Sequence, residues 1–184
     1  MVEAKFFKKT KDGRITCTLC PRYCNLKDGQ RGFCFVRQNI NGTLYLIAYG
    51  KPYAVNVDPI EKKPLFHFLP GSTITSIGTA GCNMACSFCQ NYDLSQAELN
   101  HQRAIDLPPE RVIQMARYHK TESIAYTYNE PTIFVEYVMD TAKLGKKNHL
   151  KNVMVTNGYI NSEAIEAVYQ NIDGANVDLK ACTE

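Results

Sequence analysis

The 184-residue sequence carries 21 Lys and Arg against 18 Asp and Glu, a formal net charge of +3, with 45% hydrophobic and 21% charged residues. That balance suits a chain able to bury a core, long enough for one domain or a small domain with an appendage. So weak a positive excess gives no footprint for nucleic acid, and no run of about 18 apolar residues is present to span a membrane.

The opening MVEAKFFKKTKDG lacks the apolar stretch of a secretory signal. Seven of the eight cysteines fall in two groups, Cys17/Cys20/Cys24/Cys34 and Cys82/Cys86/Cys89, with Cys182 apart. In a chain without an export signal, clustered thiols point to a reducing compartment and to metal rather than disulfides. A cytoplasmic metalloprotein is expected, with neither nucleic acid nor membrane as partner.

Residues 1–72 are rich in Cys, Gly, Pro and short polar turns, and form a Cys-rich N-terminal segment. TLYLIAYG (43–50) and PYAVNVD (52–58) are predicted as short strands around Gly50-Lys51-Pro52, a hairpin or bent ribbon. DPIEKKPLFHFLPG (58–71) contains three prolines and predicts an extended linker anchored by Leu65, Phe66 and Phe68. His67, between apolar neighbours, is expected to be packed or hydrogen-bonded rather than a ligand.

From residue 73 the pattern becomes regular. TITSIGT (73–79) is β-branched and predicts a buried strand running into Gly81, a residue suited to a tight turn or a close backbone approach. LPPERVIQMARYHK (107–120) opens with two prolines and predicts a helix burying Val112, Met115 and Ala116. ESIAYTYNEP (122–131) predicts a strand stopped by Pro131. TIFVEYVMDTAKLGKK (132–147) predicts a helix with a Phe134, Tyr137, Val138, Ala142 stripe and Gly145 near its end. The basic run Lys143 to Lys151 reads as a solvated helix terminus. KNVMVTNG (151–158) predicts a strand, SEAIEAVYQ (162–170) a helix with Ser162 as N-cap, and GANVDLK (174–180) a further strand.

Strand–helix units in this order call for an α/β fold with a parallel sheet and right-handed crossovers. Such sheets bind ligands at the carboxyl ends of their strands. Those ends carry Cys82 to Cys89, Tyr128-Asn129-Glu130, Thr156-Asn157-Gly158 and Asp178-Leu179-Lys180. The four groups are expected to converge. Asn91 and Tyr92, just after the cysteine loop, are candidates for the pocket lining.

Thiolates favour soft or borderline metals, and a cubane cluster offers four irons for outer ligands. Three cysteines in one loop leave one iron open; a zinc site completed from elsewhere is the alternative. The segment CNMACSFC resembles the CxxxCx(aromatic)C motif of the radical S-adenosylmethionine (radical SAM) enzymes, in its usual place after a first barrel strand. The resemblance implies a [4Fe-4S] cluster whose open iron chelates S-adenosylmethionine. Reductive cleavage would then give a 5′-deoxyadenosyl radical that abstracts hydrogen from a substrate. It further implies that Phe88 lies against the adenine and that Asn129 and Glu130 occupy the motif holding the methionine amino group, Asn129 replacing a common glycine. Asn157 matches a TNG strand end. Asp178 and Lys180 match the DLK of glycyl-radical-enzyme activases, acid toward ribose hydroxyls and amine toward a carboxylate.

CTLCPRYCNL, GQRGFCFVRQN and DPIEKKPLFHFLPG, together with the cysteine loop, resemble the radical SAM member of the AmmeMemoRadiSam group, related to pyruvate formate-lyase activating enzyme. The resemblance implies a flavodoxin or ferredoxin reductant and an unidentified substrate, a protein for an activase. Cys17, Cys20, Cys24 and Cys34 form a candidate second metal site, for which zinc and a second iron–sulfur cluster fit equally. Activase relatives close six strand–helix units. Here about four are expected over residues 73–184, a shortened partial (β/α) barrel with an open edge strand. A non-catalytic iron–sulfur or zinc-binding scaffold is the alternative to an enzyme, and no residue is assigned a catalytic role.

Overall fold

The computed structural model describes residues 1–100 and 102–181, so Cys182 lies outside the described residues. Six short strands come first: β1 (Val2–Glu3), β2 (Phe7–Lys9), β3 (Ile15–Cys17), β4 (Asn25–Leu26), β5 (Arg37–Ile40) and β6 (Thr43–Leu46). They make two three-stranded antiparallel sheets, β1-β6-β5 and β2-β3-β4. The chain then continues through β7 (Ala54–Pro59), β8 (Thr73–Gly78), α1 (Tyr92–Ser95), α2 (Pro109–Tyr118), β9 (Ser123–Tyr126), α3 (Val135–Lys147), β10 (Lys151–Thr156), α4 (Ser162–Tyr169) and β11 (Gly174–Val177).

The main sheet has the order β11-β10-β9-β8-β7, parallel except for β7, which runs antiparallel to β8. This is a mixed α/β architecture consistent with a partial radical-SAM-type barrel. β8, β9 and β10 are almost wholly buried, as parallel strands covered on both faces should be. Alternation along the strands separates two cores. Ile77, Ile124, Tyr126 and Met154 join Val112 and Ile113 of α2, Tyr137 and Val138 of α3 and Val168 of α4. Ile74, Ala125 and Val153 point the other way, onto Ile60, Leu65, Phe68 and Leu69. The N-terminal residues Ile15, Leu19, Val36, Leu44 and Leu46 belong to the first cluster, so the Cys-rich segment packs into the barrel core.

Several local expectations change. β6 and β7 do not pair as a hairpin: Pro52 lacks the N–H a ladder needs, and β7 instead takes the open edge of β8. The 58–71 linker is not extended throughout, because Ile60–Lys62 forms a 3₁₀ turn whose Ile60 is buried. Leu65 and Phe68 anchor it, whereas Phe66 is exposed. His67 is exposed rather than packed. α2 begins with Pro109 as its first residue and buries Val112, Ile113 and Ala116, with Met115 partly buried against the same cluster. Phe134 is buried in a 3₁₀ turn ahead of α3. Gly145 lies within α3, where its missing side chain admits the buried amide of Asn152, and the helix runs on to Lys147. Asn161, not Ser162, occupies the N-cap position of α4, makes no side-chain cap bond, and instead donates its Nδ2 to the Thr18 carbonyl at 2.8 Å.

A buried ion pair also joins the N-terminal segment to α3. Arg37 donates to both carboxylate oxygens of Glu136 at 2.9 Å and to the Lys5 carbonyl at 2.6 Å, while the Lys5 N–H donates to Glu136 at 2.6 Å.

Candidate active site

The carboxyl ends of the parallel strands open into one cavity of about 630 Å³, within the range of cofactor and small-molecule sites. Cys82, Cys86 and Cys89 border it from the loop after β8, Asn129 and Glu130 from beyond β9, Asn157 from beyond β10, and Asp178 and Lys180 from beyond β11. Phe88 is on the same wall with 67% of its surface exposed, so it is not a core residue. Asn91 also borders the cavity, whereas Tyr92 is exposed on α1 and does not.

Amide side chains hold the cysteine loop. Asn157 Nδ2 donates to Asn83 Oδ1 at 2.8 Å, and Asn83 Nδ2 donates to the Tyr159 carbonyl at 2.9 Å. Asn129 grips the loop's entrance: its Nδ2 donates to the Gly81 carbonyl at 2.8 Å and to Thr79 Oγ1 at 3.0 Å, and its Oδ1 accepts from the Thr79 N–H at 3.2 Å. Both N–H groups of that amide are engaged by the protein, which makes Asn129 a positioning residue. Gly81, at φ +86°, abuts the Cys34 carbonyl, which a side chain there would strike. The close backbone approach expected at this glycine is therefore to the N-terminal segment.

Glu130 is buried and fully engaged from one side. Its Oε1 accepts from the Thr132 N–H at 2.9 Å and Thr156 Oγ1 at 2.6 Å, and its Oε2 accepts from the Asn157 N–H at 2.7 Å. Burial raises its pKa, and the three donors oppose the rise. A carboxylate has about four acceptor positions, so about one remains for a ligand in the cavity. Asp178 and Lys180 form a local pair at 3.0 Å, with Asn176 Nδ2 donating to the same carboxylate at 2.7 Å.

The thiols have their own partners. The Met84 N–H donates to Cys82 Sγ at 3.4 Å, and the buried Ser95 hydroxyl lies 3.2 Å from Cys89 Sγ. Burial pushes the Cys82 thiol up to about 11; the Met84 amide pulls it back and the Glu130 carboxylate adds to the rise. Among the described residues no three thiol, imidazole or carboxylate groups surround one point as a single ion would require. Three thiols on one loop can each hold a separate iron of a cubane, so the loop's donor set fits a cluster by its chemistry.

The pocket wall also holds Tyr128 and Thr156, named from sequence only as members of their strand-end groups, and Lys63, which the sequence did not mark. Tyr128, at φ +72°, donates its hydroxyl to Asp58 at 2.6 Å, and Lys63 Nζ donates to the same carboxylate oxygen at 2.7 Å while lying 4.4 Å from the Tyr128 ring centre. Asn83 lay in plain view within the cysteine loop, and Thr156 beside Asn157. Nothing in the local pattern marks Ser95 or Lys63.

A family model of the radical SAM superfamily matches residues 76–184. This chain belongs to the radical SAM superfamily. It is similar to two proteins of Methanocaldococcus jannaschii, each named as an uncharacterized protein. MJ0808 is 43% identical over 180 residues, 98% of this chain and 54% of the relative. MJ0674 is 23% identical over 170 residues, 89% of this chain and 45% of the relative. The chain spans about half the length of the curated relatives it matches. Membership in the radical SAM superfamily implies a [4Fe-4S] cluster and S-adenosylmethionine. Among the described residues, no helix is long and apolar enough to cross a membrane.

Proposed function

We propose that this chain is the cluster-bearing part of an activase-like radical SAM enzyme of the AmmeMemoRadiSam group, related to pyruvate formate-lyase activating enzyme, with Cys82, Cys86 and Cys89 each holding one iron. The observation that carries the reading is the opening of three thiols, a buried carboxylate with a spare acceptor position and an Asp–Lys pair into one cavity. When bound, the cluster and S-adenosylmethionine supply a 5′-deoxyadenosyl radical that takes a hydrogen atom from the substrate.

The protein's own part is positioning and exclusion of water. Glu130 presents its free acceptor position to the amino group of the cofactor, held in place by Thr132, Thr156 and Asn157. The exposed ring of Phe88 offers an apolar face for adenine. Asp178 accepts from ribose hydroxyls, and Lys180 exchanges its present partner for a carboxylate. The N-terminal motifs support the AmmeMemoRadiSam assignment, and the free thiols support a reducing, cytoplasmic setting. A flavodoxin or ferredoxin fits as electron donor and a protein as substrate.

The test is anaerobic reconstitution with iron and sulfide, followed by dithionite and S-adenosylmethionine and chromatography for 5′-deoxyadenosine. Accumulation that disappears in Cys86→Ala supports the assignment. A reconstituted cluster that yields none overturns it in favour of a non-catalytic scaffold.

A further inference from the structure

Cys17 ends β3, Cys20 and Cys24 follow in the connection to β4, and Cys34 lies in the turn before β5, yet all four line one small cavity. Its volume is about 20 Å³, room for roughly one water-sized sphere. That is room for one ion as the segment stands, whereas the four irons and four sulfides of a cubane would need the segment to open. Beside the cysteines the wall combines apolar residues with Arg22, Arg37, Asn83 and Thr132. Arg37 Nε and Thr132 Oγ1 are both buried, both belong to residues bordering this cavity, and neither has a hydrogen-bond partner among the described residues. Unpaired buried donors are rare and call for a partner, and ligand sulfurs with hydrogen-bond donors around them supply one.

We propose that these four cysteines form a structural zinc site, with Arg37 and Thr132 donating to the ligand sulfurs. Four thiolates close the tetrahedron zinc prefers. They leave a net charge of about −2 with the ion, which the buried Arg37 guanidinium partly offsets. Since no three thiols yet surround a point, ligation requires the cysteine side chains to turn inward about χ1. The site does more than close the segment on itself. Arg22, between Cys20 and Cys24, donates its Nε to the Asn83 carbonyl at 2.8 Å, and the Cys34 carbonyl abuts Gly81. Zinc therefore braces the back of the Cys82–Cys89 loop.

The test uses the full chain carrying Cys82→Ala, Cys86→Ala and Cys89→Ala, so that its outcome is independent of the cluster assignment. Expressed with zinc and iron supplied, the purified variant should hold about one zinc per chain, negligible iron, and a zinc absorption spectrum fitted by four sulfurs at about 2.3 Å. Adding Cys34→Ser should release the zinc. Should that variant fail to fold, the spectrum of its parent decides. Iron and sulfide at about four each per chain, a folded chain free of metal, or a zinc shell dominated by nitrogen and oxygen would each overturn the proposal.

Discussion

Replacing Glu136 with alanine should destabilise the chain by about 3–5 kcal/mol, the cost of leaving a buried charge without its partner. The magnitude follows from the geometry. Arg37 and Glu136 side chains are only 3% and 4% exposed, so water cannot take over the lost contacts. The substitution removes two charge-assisted bonds at 2.9 Å and the acceptor of the Lys5 N–H. Burial opposes the Arg37 charge, and the Glu136 carboxylate more than restores it, so the guanidinium stays charged in the native protein. Glu136→Gln keeps one acceptor and should fall between wild type and alanine. Urea melts followed by far-UV circular dichroism, at matched zinc content, give the loss as a shift in midpoint at constant slope. In thermal melts it corresponds to roughly 6–20 °C for a chain of this size. The gap should change little from about 0.05 to 0.5 M salt, since buried pairs are weakly screened. A loss below about 1 kcal/mol, the range of surface pairs, would refute the claim that this pair fastens the N-terminal segment to α3.

Ser95→Ala removes the hydroxyl 3.2 Å from Cys89 Sγ, which can only donate to that sulfur once it is a thiolate ligand, and should lower the cluster's reduction potential by about 40 mV, from about 1 kcal/mol per hydrogen bond at 59 mV per tenfold for one electron; electron paramagnetic resonance titration reads it. Asn129→Ala deletes three bonds to residues 79–81 and should cost about 1–3 kcal/mol, with iron retention after reconstitution falling below wild type. Burial works to raise the Asp58 pKa, but donation from Lys63 and Tyr128 prevails and holds it below the ordinary 3.8. A lowered carboxylate contributes stability above that value and loses it as pH falls. The stability gap between wild type and Asp58→Asn should accordingly be fully present above about pH 5 and shrink below pH 4, as followed by urea melts across that range.

The elements of residues 73–181 were legible because period, prolines and β-branched runs agreed there. Pro108 and Pro109 mark the start of α2, and the β-branched Thr73, Ile74, Thr75 and Ile77 mark β8, which is buried from Ile74 to Gly78. Positions at which distant chain segments meet were not. Residues 54–59 carry a strand pattern but no sign of a partner, and β8 supplied it. Ser162 has the chemistry of a cap, yet Asn161 prevailed because residues 18 and 19 pack against it, a contact no local window contains. The site was legible as a set of residues, because parallel topology gathers strand ends. Individual duties were less so. Asn129 borders the cavity where it was expected, and its amide also holds the loop, a duty the sequence did not indicate.

That duty has a physical reason. On the proposed assignment, three thiols must present themselves to three irons with errors of about half an ångström, from a loop with no regular structure between Ala80 and Asn91. Loops of this kind are the most mobile parts of a fold, so precision has to come from side chains outside them. Asn129 secures the loop's entrance, Asn157 and Asn83 tie its second residue to the end of β10, and Ser95 touches its last cysteine. From behind, Arg22 and the Cys34 carbonyl press on Asn83 and Gly81. The two cysteine groups are thus parts of one mechanical unit, the N-terminal four bracing the loop that carries the other three. On this argument, loss of the rear group should weaken cluster retention even though it contributes no ligand. Iron counts on reconstituted Cys34→Ser in the otherwise native chain should fall while Cys82, Cys86 and Cys89 remain intact. Full iron occupancy in a chain that has lost its zinc would separate the two groups and remove the reason for their contact.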